Sequence, residues 1–434
     1  MISTIEKLAF GGNGVCRIDG KVCFVPLSCP GDDVRLAITS AKRSYQVARI
    51  VELVKPSPQR CTPPCPLFGT CGGCSWQHID YTYQLEAKQQ ILAETMWRGA
   101  RVEAQYVMAT QPSPIQYGYR SRVQFKLHGS GNRLQIGFYR TGSHSVVDVG
   151  QSCPVILPII NQVLGCLRAI LPSYADIRSI PKISIDCAES GVIAVVTYSG
   201  RDSASVFDFF TQQREELLPL TGLFLKFDKN NTLLKVYGDE VLNYSLPAAS
   251  AANGPLRLSY LAGGFAQVNR DQNVAMIEIV KRLAGFNGTE QVLDLYCGNG
   301  NLTLPIAGLV SQITGIEEYP ASIAAARENS TANGINNAAF ICADAAAGTR
   351  HLADAGRFFD TIILDPPRSG AADTVPEICR LNPATIIYVS CDPSTLARDC
   401  GMLAASGYNV RECVPLDMFP QTYHLESVTL LRKQ

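Results

Sequence analysis

From about Leu256 to the C-terminus, short apolar runs alternate with stretches of helical spacing, and that alternation restricts this part of the chain to a sheet layered with helices. Gln291 to Tyr296, Gln312 to Glu317, Ala339 to Ala343, Asp360 to Asp365 and Thr385 to Ser390 read as apolar strands. Their order predicts a doubly wound α/β domain, a fold that binds ligands beyond the carboxyl ends of its strands.

The rest of the chain has a different texture. Between Ile5 and Val54, β-branched runs (Val22 to Pro26, Asp33 to Ile38, Tyr45 to Val51) are separated by Gly-Asn-Gly, Asp-Gly and Pro-Gly-Asp turns, a spacing that suggests a small β-barrel. A linker, Pro56-Ser57-Pro58, leads to a group of cysteines and then to a helical pattern from about Tyr81 to Arg98, with Leu85, Leu92 and Met96 on one face. Residues 117 to 250 return to strand-like alternation. A chain of 434 residues suggests two or three domains. Its most apolar segment, Val155 to Pro172, is broken by Asn161, Gln162 and Arg168, so no membrane span is expected. The first residues lack a basic head followed by an apolar core, which predicts a cytoplasmic protein.

Net charge is zero, so any polyanion has to be met by local patches. Residues 1 to 60 hold nine Lys and Arg against five acids. Residues 117 to 140 hold Arg120, Arg122, Lys126, Arg133 and Arg140 with no acid, interleaved with Tyr117, Tyr119, Phe125, Phe138 and Tyr139. Such segments suit phosphates and unstacked bases, although a solvated strand face has the same pattern.

The first apolar strand of the α/β region runs into Tyr296-Cys297-Gly298-Asn299-Gly300-Asn301, where glycines let the backbone approach a ligand. Glu317 ends the next strand 23 residues after Asp294, a spacing that suits a carboxylate on ribose hydroxyls, and Asp344 ends a third strand, where it can meet an adenine amino group. The turn alone fits a nicotinamide cofactor as well as S-adenosylmethionine. The third glycine of the dinucleotide fingerprint is missing, however, and with Asp365-Pro366-Pro367 closing another strand the array resembles class I (Rossmann-like) methyltransferases. Cys391 follows the apolar run Ile386 to Ser390, which puts a thiol on the same sheet edge.

Asp365-Pro366-Pro367-Arg368-Ser369-Gly370, Val389-Ser390-Cys391-Asp392-Pro393-Ser394-Thr395, Asp417-Met418-Phe419-Pro420-Gln421-Thr422-Tyr423-His424-Leu425-Glu426-Ser427 and Phe265-Ala266-Gln267-Val268-Asn269 are similar to the signatures of bacterial RNA (uracil-5-)-methyltransferases. The resemblance implies Cys391 as nucleophile, Glu426 as acceptor of the carbon 5 proton, and Gln267, Tyr296, Asn301, Glu317, Asp344 and Asp365 around S-adenosyl-L-methionine. The chemistry agrees, because carbon 5 of a pyrimidine is a poor nucleophile until a thiolate adds to carbon 6. Asp392 stands where several relatives have asparagine, and Tyr296 where phenylalanine is common. RNA cytosine-5 methyltransferases often carry a cysteine at the place of Arg368, which favours uracil here.

Cys65, Cys71 and Cys74 lie close together and Cys153-Pro154 far downstream, a set that can bind zinc or an iron-sulfur cluster. Cys61 and Cys65 are followed by the wrong gap for a radical S-adenosylmethionine site. In the 23S rRNA members of the uracil-5 family the matching arrangement holds a [4Fe-4S] cluster. Residues 11 to 14 and 25 to 32 resemble a TRAM module, an RNA-binding barrel of the oligonucleotide-binding type. The resemblance therefore implies a TRAM barrel over 1–57, a mainly β central iron-sulfur domain over 58–92 and 116–262, and a catalytic domain over 93–115 and 263–434. It implies RNA, specifically 23S rRNA, as partner, with neither a membrane nor DNA expected. The alternatives are a tRNA uracil-5 methyltransferase and an inactive iron-sulfur RNA-binding protein.

Overall fold

The computed structural model describes residues 2–130, 133–227, 233–248 and 254–434; Met1 and residues 131–132 of the basic and aromatic segment lie outside it. Seven strands form the C-terminal sheet: β1 (Gln291–Leu295), β2 (Gln312–Glu317), β3 (Ala338–Cys342), β4 (Thr361–Leu364), β5 (Thr385–Ser390), β6 (Tyr408–Leu416) and β7 (Glu426–Lys433). They run in spatial order β3-β2-β1-β4-β5-β7-β6. The first five pair in parallel, and β7 runs antiparallel between β5 and β6. Order reverses between β1 and β4, so a crevice opens at their carboxyl ends.

Three helices position the site. These are α1 (Tyr81–Ala100), α2 (Arg270–Ala284) and α3 (Pro393–Ala405). Helix α1 starts where the Asp80 carboxylate accepts the Thr82 N–H at 2.9 Å and ends at Arg101, which takes a left-handed φ of 57°. Its buried face is Gln84, Ala87, Lys88, Ile91, Leu92 and Met96, in one core with Leu396, Ala397, Leu403 and Leu425. A Cβ on Gly99 would come within 2.7 Å of the Ala397 Cβ, so only glycine lets α1 lie this close to α3. The domain boundary expected at residue 93 thus falls inside a continuous helix.

The middle of the chain carries more helix than its alternation suggested. A second seven-stranded sheet extends from Arg122–Ser130 to Leu233–Gly238, but Pro158–Ile170 and Ser203–Gln212 are helices packed with it. The apolar segment that contains Pro158–Ile170 is an amphipathic helix: Ile160, Val163, Leu164, Leu167 and Ile170 recur at i, i+3, i+4 spacing and all are buried. Proline at its first turn fits helix initiation.

At the N-terminus six strands form a rolled sheet around Ile5, Cys16, Ile18, Cys23, Val25, Val34 and Ala48, as the turn spacing predicted. The Glu6 N–H donates to Val15 O at 2.8 Å and helps close it. This barrel is not a detached bead. Leu8 and Cys29 belong to the core that holds α1 and the C-terminal sheet, and the fully buried Trp76 donates its indole N–H to Gly12 O at 3.0 Å. Among the described residues no helix is long and apolar enough to cross a membrane.

Candidate active site

At the end of β1 the chain turns sharply through Tyr296 (φ 65°), Gly298 (φ 56°) and Gly300 (φ 90°). Space beside Gly298 is open, with no atom within 4 Å of where a Cβ would stand. The crevice there is lined by Gln267, Asp294, Tyr296, Gly298, Asn301 and Asp365, among others. Exposed Phe265 stands at its edge, 68% accessible.

Hydrogen bonds hold several residues at the crevice in place. Asn301 exchanges two hydrogen bonds with Asn273 of α2, at 2.8 and 2.9 Å, and accepts one from Tyr244 OH at 3.2 Å. The Tyr296 hydroxyl lies 2.8 Å from Thr374 Oγ1. Glu317, at the end of β2, accepts the Gly298 N–H at 3.3 Å and the Tyr319 N–H at 2.9 Å. Neither Glu317 nor Asp344 is among the crevice-lining residues; the Asp344 Oδ1 caps the helix Ala345–Asp354 by accepting Ala347 N–H at 2.9 Å.

Asp294 opens the glycine-turn motif in the sequence without being assigned to the site, and it lies in the crevice. One carboxylate oxygen accepts the Thr303 hydroxyl at 2.5 Å and the other is buried without a partner. Burial pushes its pKa up to about 7, against the Thr303 hydrogen bond and with help from nearby Asp365 and Glu317. A lone acid in an apolar strand was the available signal.

Beyond β4 and β5 a second group converges. Cys391 is the first residue after β5 and Glu426 the first of β7, so neighbouring strands carry them to one edge. Glu426 is 5% exposed, a buried acid although it stands near the C-terminus. Burial raises the Cys391 pKa to about 11, with Glu426 and Asp365 raising it further and Arg368 opposing them. Glu426 is held well above the carboxylate range by burial and by Asp365, and burial brings Asp365 to about 7. The Cys391 thiol and the Glu426 carboxyl thus share one guanidinium, that of Arg368, a position that in the sequence only excludes a rival cysteine. Asp392 caps α3 by accepting the N–H groups of Ser394 and Thr395 at 2.8 and 3.2 Å, a task asparagine performs equally.

His424, two residues before Glu426, was also not singled out. Its ring lies 4.3 Å from that of Tyr423, tilted by 33°. Burial, then Arg368, Lys88 and Arg120, lowers its pKa to about 4, so it is neutral at physiological pH.

Cys65, Cys71, Cys74 and Cys153 lie near enough to influence one another's charge, and Cys71 bridges to Arg140 beside the middle sheet. Burial raises the Cys74 pKa to about 12, and Cys153, Cys71 and Cys65 add to the rise; Cys153 responds likewise to Cys65 and Cys71. All four are free thiols. Among the described residues no three His, Cys, Asp or Glu close tightly enough to hold a single ion. Cys61 is exposed, with its thiol 3.3 Å from Gln77 O.

Cys74 also borders a cleft of about 620 Å³ between the barrel turn Gly11-Gly12-Asn13 and the middle sheet, lined by Lys126, Tyr139, Arg140 and Tyr423. Lys126 sits 5.3 Å from the Tyr139 ring centre and directly across the strand pair from Lys182. Like charges so placed repel, which an anion would relieve.

The profile of the tRNA (uracil-5-)-methyltransferase family matches residues 250–434, and that of the TRAM domain of tRNA (uracil(54)-C(5))-methyltransferase matches residues 1–59. The 23S rRNA (uracil(1939)-C(5))-methyltransferase RlmD of Mannheimia succiniciproducens is 36% identical over 99% of this chain and 95% of its own. An uncharacterised RNA methyltransferase of Thermosynechococcus vestitus is 33% identical over 98% of this chain and 96% of its own. Among solved structures, the Pyrococcus abyssi tRNA (uracil-54, C5)-methyltransferase in complex with S-adenosyl-L-homocysteine superposes with a TM-score of 0.75 at 24% identity, covering 99% of this chain and all (100%) of the other.

Proposed function

Because the chain belongs to the RNA uracil-5-methyltransferase family, we propose that it methylates carbon 5 of a uridine in 23S rRNA through a covalent bond from Cys391 to carbon 6 of the base. The observation that carries the mechanism is the convergence of Cys391, Glu426, Asp365 and Arg368 beside the crevice. In this reading the Cys391 sulfur adds to carbon 6, and the electron pair moves through carbon 5 to the 4-oxygen. S-adenosylmethionine supplies the methyl group when bound. Glu426, once ionised, takes the carbon 5 proton; the electron pair of that carbon–hydrogen bond re-forms the 5,6 double bond, and the carbon 6–sulfur bond breaks to release the Cys391 thiolate. The raised pKa of Glu426 makes it a stronger base than an exposed carboxylate.

The crevice fits the methyl donor. Open space over Gly298 and the unpartnered Asp294 oxygen offer a backbone cradle and an acceptor that face no protein group. Gln267, Tyr296, Asn301, Glu317, Asp344 and Asp365 would hold it. RNA would lie along the cleft between barrel and middle sheet, with phosphates near Lys126, Lys182 and Arg140 and bases on Tyr139. This assigns residues 1–57 and the central domain, 58–92 with 116–262, to RNA binding, and 93–115 with 263–434 to catalysis.

Methylation of 23S rRNA fragments and of tRNA by the purified protein tests the substrate. We expect 5-methyluridine in the ribosomal fragment at a kcat/KM at least about tenfold above that on tRNA, a preference of about 1.4 kcal/mol. The reverse order would transfer the activity to tRNA, and label in neither would remove it.

Cys65, Cys71, Cys74 and Cys153 would hold a [4Fe-4S] cluster in a structural role. An all-thiol donor set whose members perturb one another supports this reading. Four thiolate ligands complete the coordination of such a cluster, and the chain's own part is to tie the Cys65 to Cys74 loop to the middle sheet. Protein purified without oxygen should contain iron and acid-labile sulfide in equal amounts. Stoichiometric zinc with no iron would overturn the cluster.

A further inference from the structure

Residues 417–425 connect β6 to β7, and the Leu416–Glu426 pairing fixes where the connection begins and ends. Gln421 within it takes a φ of 69°, a left-handed conformation that a side chain with a Cβ adopts at a cost. Its polar groups are engaged by residues far away in sequence. The Gln421 N–H donates to Gln84 Oε1 and its Oε1 accepts from Gln84 Nε2, both at 3.1 Å. The Gln421 carbonyl accepts the N–H groups of Ser75 and Trp76, at 3.1 and 3.0 Å. Two residues further, Ser75 Oγ accepts the Tyr423 N–H at 3.0 Å.

Neighbouring contacts come from the same direction. Lys88 donates to Asp417 at 2.5 Å and to Phe419 O at 3.3 Å, and Tyr119 OH donates to Pro420 O at 3.0 Å. None of these partners lies in the C-terminal sheet. Yet what they hold is the approach to its reactive edge: Tyr423 stacks on His424, and His424 neighbours Arg368 and Asp392 and precedes Glu426 by two residues.

We propose that Gln84 and Ser75 are positioning residues for methyl transfer, holding Gln421 in its left-handed conformation so that Tyr423 and His424 form one wall of the uracil pocket beside Glu426. The inference rests on the uridine-methylating function above. A hairpin connection made of the catalytic domain alone has no reason to keep an unfavourable backbone angle at a glutamine. The clasp supplies one, and it comes from segments that the notional RNA-binding part of the chain contributes.

The test uses the full chain and a uridine-containing ribosomal fragment. Gln84→Ala should lower kcat by about ten- to a hundredfold, the range that small misplacements produce, while KM for RNA and affinity for S-adenosylmethionine stay within about twofold. Ser75→Ala removes a single hydroxyl and should lower kcat less, by about threefold, about 0.65 kcal/mol. Glycine adopts positive φ freely, so Gln421→Gly added to Gln84→Ala should recover much of the lost kcat. If Gln84→Ala loses cofactor binding and kcat together, the clasp is needed for folding alone and the proposal falls. It falls too if kcat is unchanged in both single variants, or if Gln421→Gly gives no recovery. A wild-type protein inert on uridine RNA would instead sink the reaction, and with it this inference.

Discussion

Cys391→Ala should reduce methyl transfer by at least about 10³-fold while S-adenosylmethionine still binds, because removing the nucleophile of a covalent mechanism leaves only positioning and electrostatics. Cys391 lies beyond β5 and is not among the residues lining the crevice, so the two readouts separate. The wild-type pH profile gives a second check. Burial and two neighbouring acids put the thiol at about 11, above any working pH, so the reactive thiolate is a minor species whose fraction grows about tenfold per pH unit until pH approaches that value. A single-turnover rate should therefore climb between pH 7 and pH 9. Activity above a few per cent in the alanine variant would remove Cys391 from the mechanism, and a flat profile would show that its proton leaves before the limiting step.

Glu426→Gln should stop the cycle after methyl transfer. An amide cannot take the carbon 5 proton, so turnover should fall by about 10²- to 10⁴-fold and enzyme joined to RNA should accumulate. The side chain is nearly isosteric, and at 5% exposure it is packed on all sides, so the pocket should keep its shape. Denaturing electrophoresis after incubation with both substrates would display the adduct. If turnover falls but no adduct forms, Glu426 acts before the thiol adds rather than after.

Much of the catalytic sheet was legible because parallel strands covered on both faces must be apolar, whatever lies next to them. Gln312–Glu317 and Thr385–Ser390 appear with the bounds the sequence suggested. The hairpin β6–β7 was not read, since Arg411, Glu412 and Arg432 interrupt its apolar pattern where it reaches the sheet edge. Helix α1 has Leu92 and Met96 buried as its spacing predicts, but two polar residues join that face. Gln84 and Lys88 are fully buried while Leu85 is only partly so, because partners more than 300 residues away satisfy the two polar side chains. The position of Cys391 on the sheet edge was readable from a local strand end. The surroundings that set its chemistry, Glu426, Asp365 and Arg368, come from two other chain segments brought together only by the fold.

The buried pair of Lys88 and Asp417 also bears on how the chain is made. Removing one partner of such a pair typically costs about 3–5 kcal/mol, since the other charge is left alone in a dry interior. A ribosome emits the N-terminal partner first. The two are 329 residues apart, which at roughly 5–20 residues per second leaves Lys88 without its acid for a quarter of a minute or longer. During that interval α1 cannot bury its ammonium, Trp76 lacks its full cover, and the barrel that packs against them has only part of its final support. Nascent chains ending before residue 417 should therefore be cut by protease within α1 more readily than chains that include it, because Lys88 is locked only once its acid has been made.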